Sequence, residues 1–335
     1  MADPESEPIP ELTLPAQRGA IPLLGGVGIA ALGAAALLVH LRYLPSLSIA
    51  IPALLLGAVA VSLPGGAVLR RSGQRTYGFW LQAGAVLLGP SIDPAAVSAM
   101  GLQGLALVGL KIALAYLGAR FVLRRFLPPV TARLLGIGNS VCGVSAILLA
   151  KSRIGASDGE ATAAVGAILS VGTIAVFLAP LVALSWHPAP YIAGAICGLG
   201  LDNTAEAIAS GAAFGPVGLQ MATMFKLTRN ALLGVVVALS GRETRSLREI
   251  ARDFPPFVAF YAVLAALRLA GILGPGPVAW SSTFSQVAFA LAFVGVGAML
   301  RQEISGGRVR DILLSSGYLV VTLALSAGLV LLVGP

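Results

Sequence analysis

The chain has 335 residues, of which 57% are hydrophobic and only 11% are charged, and its mean hydropathy is +0.91. A soluble domain carries about 25% charged residues, so this composition excludes a soluble protein and predicts an all-α polytopic membrane protein. The net charge of +8 would suit a nucleic-acid partner in a soluble chain. Here the arginines fall between apolar segments, where basic residues orient membrane proteins.

The N-terminal residues are acidic and contain prolines, which predicts a disordered cytoplasmic segment over residues 1–19. The segment lacks the basic start of a signal peptide, so residues 20–41 are predicted to form a retained, extra N-terminal transmembrane helix. A span needs roughly 20 apolar residues. By that measure we predict about 11 transmembrane helices, with the bounds 20–41, 44–63, 77–91, 101–124, 132–151, 160–184, 188–209, 216–240, 255–273, 283–300 and 312–333.

The basic residues of the loops predict the orientation of these helices. The loops on one side of the membrane contain only Arg42, Lys151 and Arg153. The loops on the opposite side contain most of the basic residues, namely Arg70, Arg71, Arg75, Arg124, Arg125, Arg133, Arg242, Arg245, Arg248, Arg252, Arg301, Arg308 and Arg310. Because loops rich in Arg and Lys stay in the cytoplasm, the N-terminus is predicted to be cytoplasmic and the C-terminus to lie outside.

Weak internal similarity predicts two repeats of five helices, over residues 44–184 and 188–333. Residues 84–93 and 232–241 occupy matching places, at an offset of about 150 residues. An odd number of spans in each repeat gives the two copies opposite orientations, which is the inverted-repeat plan of many secondary transporters. In this alignment the segment 132–151 corresponds to the segment 283–300.

The segment 132–151 departs most from a plain spanning helix. Three glycines weaken it, and Asn139 and Ser140 place polar side chains at the expected depth of the bilayer midplane. We predict a break over Gly138–Ser140, with Asn139 or Ser140 as the N-cap of a second half-helix. The N–H groups and positive dipole end of that half-helix would favour an anion. A continuous helix with close packing is the alternative.

The tenth segment is predicted to break as well, near Gly295–Gly297, because it holds the corresponding place in the second repeat. It carries Ser285 and Gln286 near its start. Two breaks at equivalent positions are predicted to lie close together in space. Short, glycine-interrupted segments in corresponding positions point to a substrate site in transporters.

Four charged residues lie within segments seven and eight. Asp202 and Glu206 are four residues apart, and Lys226 and Arg229 are three apart, so each pair shares a helix face. Charges inside a membrane are functional candidates, although a structural ion-pair cluster is the alternative. Asp202 or Asn203 is a candidate cap for a restarted half-helix. We predict that Asp202 or Glu206 pairs with Lys226 or Arg229, and that proton uptake accompanies anion binding.

Two stretches resemble a known family. GNSVCGVSAI at 138–147 resembles the Gly-x-Ser-x-Cys-Gly-x-Ser-Ala-Ile signature of the sulfate exporter family of bacterial inner-membrane proteins, and DNTAEAIASG at 202–211 resembles its next signature. The family is grouped with bile acid, arsenite and riboflavin transporters. The resemblance implies a ten-helix core of two inverted five-helix repeats with two crossing broken helices. This chain differs from the family in having Asp202 and Glu206 where a His and a Gln are expected.

The residues and the resemblance favour a secondary active transporter, an exporter, that moves a small anion such as sulfate or an organic sulfonate or carboxylate by alternating access. We expect it in the bacterial inner membrane, without a cofactor or metal, and with transport coupled to H⁺ or Na⁺. Its expected partners are the lipid bilayer and the anion, with no nucleic acid, and a homodimer is compatible with the sequence. The candidate binding residues are Asn139, Ser140, Cys142, Ser145, Asp202, Asn203, Glu206, Lys226, Arg229, Ser285 and Gln286.

Two other classes fit less well. An ion or anion channel, the alternative, would show a continuous polar stripe or rings of charge, and no segment has one. An enzyme is not expected, because the chain has neither an HExxH motif nor a Walker A motif. The two cysteines, Cys142 and Cys197, are predicted to be buried free thiols, and Lys111 is predicted to snorkel or to pair at a helix end.

Overall fold

The computed structural model describes residues 21–43, 49–240, 246–299 and 309–333, and the predicted N-terminal segment 1–19 lies outside them. Within these ranges the chain is all-helical, with no strand. The α-helices are α1 (Ile21–Tyr43), α2 (Ala50–Ala60), α3 (Gly66–Leu88), α4 (Pro94–Phe121), α5 (Pro129–Ser140), α6 (Val144–Ile154), α7 (Asp158–Trp186), α8 (Pro190–Gly200), α9 (Thr204–Ala212), α10 (Gly215–Ala231), α11 (Leu233–Ser240), α12 (Leu247–Arg252), α13 (Pro256–Leu269), α14 (Pro275–Met299) and α15 (Val309–Val333).

Several of these helices are suited to a bilayer. In the described ranges, five helices are long and apolar enough to span it, and α10 and α11, bent by 41°, form a sixth candidate together. Four of them lie within α1, α7, α14 and α15, and the fifth runs from Met100, next to a kink at Gly101 in α4, to Arg125, just after α4. Because about 20 apolar residues of helix cross a bilayer, these helices make the chain a multi-pass membrane protein.

The helices pack into two groups. In the first group, α14 packs against α1, α2 and α3, and α13 packs against α3. In the second group, α10 packs against α4, α8 and α9, while α15 packs against α4, α7 and α8. Helices α5 and α6 join the second group through α4 and α7. Contacts of α9 with α2 and α14 connect the groups.

Helix α14 runs without interruption from Pro275 to Met299, so the break predicted at Gly295–Gly297 is wrong. Its glycines serve close packing instead. A Cβ on Gly297 would lie 2.2 Å from the carbonyl oxygen of Leu54, and a Cβ on Gly57 would lie 2.2 Å from that of Val294. Small residues let membrane helices approach backbone to backbone, which explains the glycines without any loss of helical structure.

This packing gives a first testable prediction. We expect Gly297→Ala to destabilise the protein by about 1–3 kcal/mol, because the added methyl group overpacks the contact between α14 and α2. The matched control is Gly78→Ala in α3, where nothing lies within 4 Å of the added atom and alanine is the better helix former. Thermal unfolding of the purified protein in detergent measures both. Equal midpoints for the two variants would contradict the packing role.

Helix α3 begins at Gly66, eleven residues before the predicted start of its segment at residue 77. Arg70, Arg71 and Arg75 therefore lie in the first half of a helix and not in a loop as predicted. Arg71 and Arg75 are exposed and Arg70 is half-buried. Arginine is a good helix former, and its long side chain carries the charge outward from a helix end, so the hydropathy pattern placed this boundary too late.

Helices α8 and α9 form a hairpin and not a span. Along α8, a Cβ on Gly194 would lie 2.4 Å from the carbonyl oxygen of Gly218, and one on Gly198 would lie 2.4 Å from that of Ala222. Residues later in α8 contact residues later in α10, so the two helices run in the same direction.

Helix α9 then runs back along the same helix. Thr204, at its start, accepts a hydrogen bond from Asn230 at 3.1 Å. A Cβ on Gly211, near its end, would lie 2.2 Å from the Cβ of Ala222. Both outer ends of the α8–α9 hairpin therefore lie at the Gly215 end of α10.

Helices α5 and α6 form a second hairpin, from the opposite end. A Cβ on Gly138 would lie 2.9 Å from Cγ1 of Ile147, a contact that nine residues of straight helix, about 13 Å long, would not allow. At the outer end, Arg133 of α5 donates a hydrogen bond to the carbonyl oxygen of Ser240, the last residue of α11. The start of α5 thus lies at the far end of the α10–α11 pair from Gly215.

Helix α7 fixes the other end of this hairpin. It has 29 residues, about 43 Å of helix, and leads directly into α8. Since α8 begins at the Gly215 end, α7 begins at the opposite end, next to the last residues of α6. An ion pair of 3.9 Å between Arg153 of α6 and Asp253, after α12, agrees with this placement.

The fold thus corrects the prediction of crossing broken spans. Two helical hairpins enter the bundle from opposite ends and meet near its middle. Of the two segments that the sequence aligned, 132–151 is interrupted at Val141–Gly143, whereas α14 is continuous, and a second hairpin occurs at 190–212. Lys151 and Arg153, predicted on the side opposite to most arginines, lie at the same end as Arg133.

Candidate functional site

The tips of the two hairpins touch each other. The first tip comprises Val141–Gly143 and the second tip comprises Leu201–Asn203. Gly143 has a φ of +64°, and a Cβ there would lie 3.0 Å from both the carbonyl carbon and the oxygen of Asp202. This positive φ, with a ψ of −109°, reverses the chain, and the absent side chain admits the second tip.

The caps at these tips differ from each other. Asn139 and Ser140, predicted as caps of a second half-helix, are the last residues of α5. The residue that precedes α6 is Gly143, which provides no side-chain cap. At the second tip the predicted cap is present, because the side chain of Asn203 accepts a hydrogen bond from the N–H of Ala205 at 3.3 Å. Glu206 lies in the first turn of α9.

Arg229 of α10 lies between the two tips and is fully buried. Its guanidinium forms a salt bridge of 3.1 Å with Asp202, so the predicted pairing of these two residues is present. Its other hydrogen bonds go to carbonyl oxygens at the ends of both α5 and α8. These acceptors are Asn139 at 2.5 Å, Ser140 at 3.3 Å, Leu199 at 2.7 Å, Leu201 at 2.8 Å and Gly198 at 3.4 Å.

Lys226, one turn earlier on α10, is also fully buried. Its amine donates hydrogen bonds to the carbonyl oxygens of Val141 at 2.8 Å, of Leu201 at 3.1 Å and of Asp202. Lys226 therefore binds backbone at both tips, and the predicted pairing with a carboxylate is not what the structure shows. The C-terminal ends of α5 and α8 carry unpaired carbonyl groups and partial negative charge, which these two cations compensate.

A third buried cation was misinterpreted from the sequence. Lys111 is 1% exposed and donates a hydrogen bond of 2.5 Å to Oδ1 of Asn139. The amide nitrogen of Asn139 in turn donates to Oγ1 of Thr322 on α15 at 2.8 Å. Lys111 lies ten residues from the nearer end of α4, too deep for its amine to reach the interface. That depth was the signal in the sequence.

The remaining candidates of the first hairpin have varied surroundings. The hydroxyl of Ser140 donates to the carbonyl oxygen of Gly136 at 2.6 Å, within its own helix. Cys142 and Cys197 are buried free thiols, as predicted. Ser145, in the first turn of α6, is exposed. The accessible rim of the tips is thus on the side of the α6 N-terminus.

Ser285 and Gln286 are not part of this cluster. Ser285 donates a hydrogen bond of 2.8 Å to the carbonyl oxygen of Gly84 in α3, and Gln286 is exposed. Both residues belong to the first helix group, because the segment that carries them is a continuous packing helix. Their prediction as site residues depended on the break predicted in α14, which is continuous.

The site combines three buried cations with two helix N-termini, those of α6 and α9. The first-turn N–H groups of a helix and its positive dipole end favour an anion. No cluster of three or more His, Cys, Asp or Glu side chains that could hold a metal ion occurs within the described ranges. The arrangement therefore concentrates positive charge and helix N-termini around the two tips.

Comparison with known proteins gives a family and several relatives. The family model described as conserved hypothetical protein 698 matches residues 23–307. A UPF0324 membrane protein of Agrobacterium fabrum is 30% identical over 266 residues, which cover 75% of this chain and 74% of that protein.

Two further relatives are more distant. A UPF0324 membrane protein of Nitratidesulfovibrio vulgaris is 25% identical over 296 residues, or 84% of this chain and 82% of that protein. The UPF0324 inner membrane protein YeiH of Salmonella typhi is 25% identical over 229 residues, or 65% of each chain. No solved structure matches this chain.

Proposed function

The chain belongs to the family described as conserved hypothetical protein 698, and we propose that it is a secondary active transporter, an exporter, of a small anion such as sulfate or an organic sulfonate or carboxylate. The observation that carries the proposal is the contact between two hairpin tips around buried Lys226 and Arg229. Interrupted helices that meet near the middle of the bilayer are how many secondary transporters form their sites.

The two hairpins also support an inverted repeat, in a shorter form than the sequence suggested. A hairpin followed by a long helix occurs twice, as α5–α7 and as α8–α11, and the hairpins enter from opposite ends. We propose this pair of units, offset by about 60 residues, in place of the five-helix repeats. Alternating access would expose the tips first to one side of the membrane and then to the other.

The proposed orientation follows from the basic residues. The sequence predicted three basic residues outside, namely Arg42, Lys151 and Arg153. Because Lys151 and Arg153 lie at the same end as Arg133, only Arg42 of these three remains on the outer side. By the positive-inside rule, the arginine-rich end is cytoplasmic in a bacterial inner membrane, with the N-terminus inside and the C-terminus outside. Each hairpin begins and ends on the same side of the membrane. Replacing two spans by two hairpins therefore removes two crossings and leaves the N-terminus and the C-terminus on opposite sides.

Lys111, Ser145 and the first-turn N–H groups of α6 are the groups that we propose for the anion. Lys111 donates one hydrogen bond among the described residues, and an ammonium group has three donors. Ser145 adds a hydroxyl at the accessible rim. Lys226 and Arg229 hold the hairpin tips through backbone carbonyls, and they add positive charge nearby.

Transport is tested directly by counterflow. Purified protein in sealed vesicles that contain unlabelled anion should take up labelled sulfate, a short sulfonate or a dicarboxylate in a saturable way, and internal anion should accelerate the uptake. A channel, the competing function, would give uptake that neither saturates nor responds to internal anion. Uptake of none of these anions, with or without pH and sodium gradients, would contradict the proposed substrate class.

Lys111→Met is expected to raise the anion concentration needed for half-maximal counterflow by about tenfold or more, because a hydrogen bond to a charged group contributes about 1.5–3 kcal/mol. The matched control is Lys151→Met, at the outer end of α6, where the side chain is 31% exposed and pairs with Asp158. The control should leave this concentration unchanged. Equal effects of both substitutions would remove Lys111 from the binding site.

A further inference from the structure

Glu206 is a buried carboxylate without a cation partner. It is 3% exposed, and no ion pair within the described ranges includes it. Its Oε1 accepts a long hydrogen bond, of 3.4 Å, from the hydroxyl of Thr173 on α7, and the side chain of Asn203 also lies close to the carboxyl group. Its Oε2 has no hydrogen-bond partner in the same part of the chain. Asp202, four residues earlier, is different, because Arg229 pairs with it.

The surroundings of this carboxyl group form a small polar slot. A Cβ on Gly172 of α7 would lie 1.7 Å from Oε2 of Glu206, so the absence of a side chain at that position makes room for the acid. Ser210, one turn further along the same face of α9, is 1% exposed and its hydroxyl also lacks a partner among the described residues. The slot is therefore polar but incompletely hydrogen-bonded.

The charged and titratable groups around Glu206 come from few elements. Asp202 precedes α9, Lys226 and Arg229 lie on α10, and Tyr77 of α3 is close enough to interact electrostatically. Helices α2 and α14, which also contact α9, carry no Asp, Glu, Lys, Arg or His, the titratable groups of α8 are Tyr191 and Cys197, and the acids of α7 lie at its far end. Both cations of α10 already bind carbonyl groups.

An ionised carboxylate in such a place carries a large desolvation cost. A protonated, neutral acid avoids most of that cost. Binding one proton removes the charge, and no additional cation or hydrogen-bond donor is required. We propose that Glu206 is a proton-binding site that stays protonated in this closed state and releases its proton when the site opens to water. The proton comes from water on one side of the membrane and returns to water on the other.

The position of Glu206 fits a coupling role. It lies on α9, the helix of the second group that contacts α2 and α14 of the first group, and it interacts electrostatically with Tyr77 of α3 in the first group, so it is near the boundary between the two groups. A movement of one group past the other would open that boundary and hydrate the acid. This role in coupling depends on the proposed transport function, whereas the protonation of Glu206 in the closed state does not.

Infrared difference spectroscopy tests the protonation without any substrate. The purified protein in lipid discs should show the carbonyl stretch of a buried carboxylic acid at neutral pH, and Glu206→Gln should lose it. The matched control is Glu160→Gln, since Glu160 holds the same third position of α7 but forms a capping box with Ser157. The control should keep the band. If Glu206→Gln fails to fold, Glu206→Asp keeps an acid and should shift the band in frequency.

Thermal unfolding gives a second measurement. A folded protein that holds one more proton than its unfolded chain loses stability as pH rises, by about tenfold in the unfolding equilibrium for each pH unit. Glu206→Gln should remove that part of the slope, which begins above the ordinary pKa of a glutamate, about 4.3, and ends where Glu206 loses its proton in the folded protein. A missing band, or a band that survives in Glu206→Gln, overturns the proposal. So does stabilisation by sodium that needs Glu206, which would make the slot a sodium site.

Discussion

Arg229→Met should destabilise the protein by about 3–5 kcal/mol, the typical cost of breaking a buried ion pair from one side. The substitution leaves the carboxylate of Asp202 buried without its partner. It also removes donors from carbonyl oxygens at the ends of α5 and α8, and each buried acceptor that loses its partner adds about 1–3 kcal/mol. We expect low yield of folded protein and a large fall in the thermal midpoint.

The matched control for this substitution is Arg153→Met. Arg153 also pairs with an aspartate, Asp253, but at 3.9 Å and with 35% of its side chain exposed, and exposed ion pairs contribute about 0–1 kcal/mol. The double variant Arg229→Met, Asp202→Asn should recover part of the loss, because no unpaired charge remains. Similar midpoints for Arg229→Met and Arg153→Met would show that the tips do not depend on Arg229.

Gly143→Ala is expected to have the second large effect. Gly143 has a φ of +64° and a ψ of −109°, a backbone conformation that residues with a side chain rarely adopt, and the new methyl group would also press on the backbone of Asp202 at 3.0 Å. Backbone cannot rotate away as a flexible side chain can. The tips must therefore separate, which weakens the hydrogen bonds that Lys226 forms with both of them.

The chain contains a close control for this position. Gly155, at the end of α6, has a φ of +66° and a ψ of +36°, in the left-handed region, and nothing lies within 4 Å of a Cβ there. Gly155→Ala should therefore carry only the penalty of a left-handed residue, about 1–2 kcal/mol, and Gly143→Ala, with its less accessible backbone conformation and its contact with Asp202, should cost at least twice as much. Denaturant titration of both variants in detergent gives the comparison. Equal losses would mean that the tips do not touch in solution.

The positions of the helices followed from the sequence more closely than their directions did. Runs of about 20 apolar residues located nearly every helical element, but a hairpin and a span of the same length have the same composition. Hydropathy cannot report on which side a segment ends. Lys151 and Arg153 were the signal of the hairpin, because they were exceptions to the positive-inside pattern. When α6 returns to the side from which α5 enters, the two residues lie with the other basic residues and the exception disappears.

The glycines show the same limit. Gly143 turns the backbone, while Gly297 admits a neighbouring helix, and both stand in similar Gly-rich stretches. The difference depends on which residue faces the glycine, and that partner is distant in the sequence. The charged residues were easier, since Asp202, Lys226 and Arg229 had to find partners within the membrane. Their backbone partners could not be predicted, because every residue carries a carbonyl group.

The hydrogen bonds of Arg229 also constrain the order in which the chain can assemble during synthesis. Asn139 precedes Arg229 by 90 residues, so the first hairpin leaves the ribosome well before its donors exist. Lipid offers no replacement for them. Residues 129–154 are therefore expected to remain near the membrane surface, or as an unbroken helix, until α10 is inserted. Biogenesis of the first hairpin would thus be completed by a later part of the same polypeptide.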